Sequence, residues 1–152
     1  MTEVSKSKAA GNVGVEHPRD TYKVLRAIST RWGDNDVYGH VNNVQYYAYF
    51  DTAVNGWLMA ATGSDIRQLD AIGVVAETSC RFIKPLSFPD TLHAGLAIEK
   101  LGTRSVVYRI GLFGNDATQP AAVGRFVHVY VDAVSRRPVQ IPADIRRALQ
   151  TL

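Results

Sequence analysis

The segment from Asn43 to Ala61 limits what this chain can fold into more than any other stretch of the sequence. At about 3.6 residues per turn, Tyr46, Phe50, Ala53 and Trp57 form one apolar stripe. Tyr47, Val54 and Leu58 form a second stripe beside it. Only a narrow strip with Gln45, Thr52 and Gly56 is polar. A helix that is apolar over most of its circumference must be buried on most sides. One flat partner surface is not enough, so the rest of the chain has to wrap around it. Asn42 or Asn43 suits the N-cap, since an asparagine oxygen accepts from helix N–H groups. Gly63 suits the stop.

The remainder of the chain supplies such a wrapping. Lys23 to Trp32 alternates loosely and forms a first strand. After the helix come four more strand-like segments with no second long helix between them. Val74, Ala76, Thr78, Cys80 and Phe82 alternate onto one mostly apolar face before Pro85 ends the run. Leu92, Ala94, Leu96 and Ile98 repeat the pattern, as do Val106, Tyr108, Ile110 and Leu112. In the last segment the faces are less distinct: Val123, Val127, Val129 and Val131 oppose Phe126, His128 and Tyr130. Leu101-Gly102-Thr103 and Gly114-Asn115-Asp116-Ala117 read as hairpin turns. This order predicts an α+β fold with a five-stranded antiparallel sheet around one central helix. Pro142 to Leu149 adds a short C-terminal helix, with Pro142 in its first position. Met1 to Asp20 is polar and aperiodic, the pattern of a flexible tail. Residues 21–152 then form a single domain.

Composition narrows the class. With 46% hydrophobic and 20% charged residues the chain resembles an ordinary soluble domain. No apolar run approaches the ~20 residues of a membrane span, so no membrane partner is expected. Lys6 and Lys8 are not followed by an apolar stretch, which is not the pattern of a secretory signal. Cys80 is the only cysteine, which fits a reducing, cytoplasmic location. The formal charge of +3 and pI of about 9.1 suit a polyanionic ligand. A nucleic-acid partner is not expected, because no dense Lys/Arg stripe or nucleic-acid motif is present.

The chemistry concentrates just before the central helix, in Asp34-Asn35-Asp36-Val37-Tyr38-Gly39-His40-Val41-Asn42-Asn43. Two carboxylates lie two residues apart at the mouth of a buried element. A helix N-terminus carries unpaired N–H groups and a partial positive charge. A carboxylate beside such donors is a minimal kit for acyl transfer. A plainer use of an aspartate here is to accept a backbone N–H within its own turn. Asp34 suits loop anchoring, and Gly39 allows a tight turn. Asp34, Asp36 and His40 offer metal-ligand atoms, but nothing nearby completes a metal site.

This stretch, with Tyr46 and Tyr49-Phe50-Asp51 after it, resembles the signature of hotdog-fold acyl-CoA thioesterases. The most similar branch includes 4-hydroxybenzoyl-CoA thioesterase and small bacterial acyl-CoA thioester hydrolases. The resemblance runs from about Lys23 to Leu149, with weaker support from Pro85-Leu86-Ser87-Phe88-Pro89-Asp90 and Ile141-Pro142-Ala143-Asp144. It implies a hydrolase that cleaves acyl-CoA to a free acid and CoA, without a cofactor, working as a homodimer or homotetramer. It implies Asp36 as the catalytic carboxylate, with backbone N–H groups of Asn43 and, more weakly, Val41 as oxyanion donors. It also implies that Asp51 and Tyr46 lie near the acyl group, and that Arg104 and Ser105 help hold CoA phosphates. Arg81, Lys84 and Arg125 are looser candidates for that task. The hydroxybenzoyl branch has an aromatic residue where this chain has Asn43, which leaves the acyl group open. A hydratase or dehydratase, an acyl carrier protein thioesterase and a non-catalytic acyl-CoA-binding module are the alternatives.

Overall fold

The computed structural model describes residues 17–152. Its elements are β1 (Val24–Ser29), α1 (Asn43–Thr62), β2 (Ala71–Phe82), β3 (Thr91–Leu101), β4 (Ser105–Gly114), β5 (Ala122–Asp132) and α2 (Ala143–Leu149). Every pairing is antiparallel, and the strand order is β1-β3-β4-β5-β2. The expected architecture is therefore present: a five-stranded sheet, a long central helix and a short C-terminal helix.

The sheet curls around α1 because its inner face and the helix exclude water from each other. Phe50, Val54 and Leu58 are fully enclosed, as are Leu92, Leu96, Tyr108, Ile110, Leu112 and Phe126 opposite them. Gly124 makes room for this packing: an added Cβ there would lie 2.3 Å from Phe50 Cζ. Only a residue without a side chain lets the Phe50 ring rest directly on β5. Asn42 caps α1 by accepting from Val44 N at 3.2 Å, and Gly63 closes it with φ of 66°.

Three details differ from the expectations. A bulge between Val75 and Glu77 inserts a residue into β2. It breaks the alternation there: Gly73 and Val75 share the inner face with Tyr130 and His128, while Val74 pairs with Val129 on the outer one. Pro142 stands at the cap of α2, with ψ of 142°, and the helix begins at Ala143. The expected tail, Met1 to Asp20, lies mostly outside the described residues. Its last residues are held, however. Arg19 begins a single 3-10 turn, Arg19–Thr21, and its N–H donates to Thr118 O at 2.8 Å.

Candidate active site

The chain between β1 and α1 is a loop folded on a buried carboxylate. Asp34 is 1% exposed. Its Oδ2 accepts from Tyr49 Oη at 2.7 Å and from Arg31 N at 2.9 Å, while Oδ1 accepts from Arg31 Nε at 3.0 Å. Its carbonyl accepts from Asn42 N at 2.8 Å, which fixes the start of the helix. Burial pushes the Asp34 pKa up, but the hydrogen bonds from Tyr49 and Arg31 outweigh this and hold it below the usual value. Asp34 is thus the anchor of the loop and has no place in the lining of the cleft described next.

Asp36 begins a tight turn. Its N–H donates to His40 O at 2.8 Å, and its carbonyl accepts from Gly39 N at 3.1 Å. Gly39 takes φ of 86°, a left-handed conformation that glycine adopts without a steric cost. The Asp36 side chain plays the plainer part as well, since its Oδ1 accepts from Tyr38 N at 2.8 Å. A carboxylate has two oxygens, and Oδ2 has no partner among the described residues.

Asp36 opens into a cleft of about 430 Å³ together with His40, Val41, Asn43 and Tyr46. The opposite wall comes from the end of β2 and the chain after it: Phe82, Ile83, Lys84 and Pro85. Tyr46 is buried and meets Phe82 edge to face, with ring centroids 4.8 Å apart. Burial, and to a lesser degree the neighbouring Cys80, raise the Tyr46 pKa, so its hydroxyl stays protonated. Lys84 has no ion-pair partner among the described residues.

The two walls are tied together. Val41 N donates to Leu86 O at 2.7 Å, Ser87 Oγ donates to Gly39 O at 2.7 Å, and Phe88 N donates to Asn35 Oδ1 at 3.0 Å. The first of these bonds corrects one expectation. The Val41 N–H already has an acceptor, so it is not available to an oxyanion. Asn43 differs: as the first residue of α1 its N–H has no acceptor within the helix, and none among the other described residues.

The remaining site residues lie elsewhere in the chain. Asp51 is exposed, and its carboxylate accepts from Asn55 Nδ2 at 2.9 Å on the same helix. It does not line the cleft. Arg104 and Ser105 stand at the β3–β4 turn, near the start of α2. The Asp36 loop meets the sheet at the other end of β3, where Thr30 Oγ1 donates to Asp90 O. Strands rise about 3.3 Å per residue, so roughly 30 Å separates the two ends, and one chain does not bring Arg104 or Ser105 to Asp36. Arg125 is on the outer face of the sheet, paired with Glu77 at 2.9 Å. Phe82, Ile83 and Pro85 were not expected as cleft residues. Pro85, which ends a strand within a motif of the resemblance, was the available signal. Among the described residues, no three His, Cys, Asp or Glu side chains gather as a metal site. None of the described helices is long and apolar enough to cross a membrane.

Comparison with known proteins agrees with this architecture. The PA5185 protein of Pseudomonas aeruginosa is 48% identical, covering 89% of this chain and 94% of that one, with a TM-score of 0.86. The PA2801 protein of the same organism is 31% identical over 82% of this chain and 96% of its own, with a TM-score of 0.76. Slr0204, a 1,4-dihydroxy-2-naphthoyl-CoA thioesterase from Synechocystis, shares the hotdog fold at 17% identity, with 84% and 96% covered and a TM-score of 0.76. No curated protein matches the chain. The model of the thioesterase-like superfamily matches residues 30–149, and the chain belongs to that superfamily.

Proposed function

We propose that this protein hydrolyses acyl-CoA thioesters to the free acid and CoA, with Asp36 as its catalytic carboxylate. One observation carries the reading. Asp36 and Asn43, whose N–H has no acceptor among the described residues, both line one cleft at the positive end of α1. A thioester carbonyl bound there has its oxygen on the Asn43 N–H and its carbon in reach of Asp36. The carboxylate attacks that carbon directly or deprotonates a water that does. Negative charge then gathers on the carbonyl oxygen, where the helix terminus stabilises it. The C–S bond breaks, and water supplies the acid's new oxygen and the proton gained by the thiol. A thiol with an ordinary pKa near ~8.5 is a good leaving group, so a separate general acid is dispensable. The fold shared with an aryl-CoA thioesterase supports CoA as the carrier. Lys84 lines the cleft with no ion-pair partner among the described residues and suits a negatively charged or strongly polar group on the substrate.

Asp36→Asn tests the assignment. It keeps the shape and the bond from Tyr38 N but removes the charge. Turnover of acyl-CoA falls at least ~10²-fold, the low end for a positioned acid–base group, while affinity for a non-hydrolysable analogue changes little. Near-normal turnover in a folded variant would return Asp36 to a turn residue. Binding without thiol release from any acyl-CoA would favour a binding module.

A further inference from the structure

The far half of α1 covers a second cavity, of about 290 Å³. At 1.5 Å per residue, Leu58 in its lining lies roughly 20 Å along the helix from Asn43. Leu58, Ile66, Ile72 and Ile145 give it aliphatic walls, and His128 and Tyr130 supply polar groups on β5. His128 is 1% exposed, and its Nδ1 has no hydrogen-bond partner among the described residues. Rings surround it: Phe126 at 4.9 Å, Tyr108 at 5.9 Å and Tyr130 at 6.3 Å between centroids. The Tyr108 hydroxyl is also buried without a partner among the described residues. The Tyr130 hydroxyl makes no hydrogen bond among the described residues.

Polar groups buried without partners are destabilising, and native proteins pair the great majority of them. Here one such group, on His128, belongs to the cavity lining, with the Tyr130 hydroxyl beside it and the buried Tyr108 hydroxyl on the next ring, and the Asp36 cleft uses none of them. Their charge state limits what can satisfy them. Burial pushes the His128 pKa down to about 4, and raises those of Tyr130 and Tyr108. All three groups are therefore neutral at physiological pH. The cation at the rim, Arg67, is already committed to Asp65 through two hydrogen bonds of 2.9 Å. The lining thus offers hydrogen bonds and apolar area but no unpaired charge. A cavity of about 150 Å³ accepts benzene, so this one has room for a substituted ring. Aromatic edges on the His128 side favour a ring over an open chain.

We infer that this cavity is a second, non-catalytic binding site for a small uncharged phenol, whose ring lies against the aliphatic walls and whose hydroxyl meets the His128–Tyr130 side. The inference stands apart from the role of Asp36.

Titration of the full-length protein with p-cresol, followed by the methyl NMR signals of Ile66, Ile72 and Ile145, tests it. Saturable shifts of all three are expected. Toluene, which lacks the hydroxyl, should bind at least about fivefold more weakly, as the loss of one hydrogen bond requires. His128→Phe should bring p-cresol to the level of toluene. Ala71→Phe fills the lining and should abolish both, with thioester turnover unchanged. If His128→Phe does not fold, the toluene comparison and Ala71→Phe still decide. Each of three results would overturn the site: no saturable shift would leave a cavity that holds water only, equal affinity for the two compounds would remove any recognition of the hydroxyl, and p-cresol shifts that survive Ala71→Phe would place the binding outside this cavity.

Discussion

Asp34 organises the cleft without lining it. A carboxylate this deeply buried is tolerated only with its oxygens occupied, and Tyr49 and Arg31 occupy them. Tyr49→Phe removes the shortest of those bonds. It should destabilise the fold by about 1.5–3 kcal/mol, the usual worth of a hydrogen bond to a charged group, read as a lower urea midpoint at pH 7. His128 gives a pH dependence of definite sign. Its imidazole takes a proton near 6.5 in the unfolded chain but only near about 4 when folded. Between those values the unfolded chain holds more protons, so stability falls as pH falls, by roughly 3 kcal/mol across the window. Above 6.5 the His128 contribution is flat. His128→Phe should remove this slope, which urea midpoints at pH 7.5 and pH 5 compare directly.

At the scale of elements, the Phe50 ring of α1 rests directly on the β5 backbone at Gly124. A Cβ at position 124 meets the Phe50 ring well inside van der Waals distance. Gly124→Ala should therefore cost about 1–3 kcal/mol, as overpacking does, and lower Tm without changing the assembly. The helix itself was legible in the sequence, because its apolar stripes, the Asn42 cap and the Gly63 stop all act within one element. The bulge in β2 was not. An inserted residue changes which face each neighbour takes, yet Val74 and Ala76 carry no mark of it. The cleft was half legible. Asp36, Gly39, Asn43 and Tyr46 lie on one local stretch, whereas Phe82 to Pro85 reach it from about forty residues away. The resemblance directed attention to Asp51 and Arg104, but local sequence cannot tell which side of a helix or which end of a sheet a matched residue occupies.

At the scale of the molecule, β2 is an edge strand bonded on one side only, to β5. Val75 and Phe82 on it are 47% and 46% exposed. A long edge with apolar side chains readily pairs with another strand, and a second copy of this chain is the partner the resemblance implies. Light scattering at micromolar concentration should give at least twice the mass of one chain, and Val75→Lys should shift it toward that of one chain. A monomeric wild type would refute this assembly. The main-chain clasp from Val41 to Leu86, with Ser87 on Gly39 and Asn35 on Phe88, has a consequence for inheritance. The loop that presents Asp36 and the connection after β2 are two sides of one joint, far apart in sequence. Grafting residues 34–42 alone from a distant relative would leave mismatched halves. Grafting 34–42 and 83–90 as a pair would carry the joint across intact, so these two segments should drift through evolution as one module.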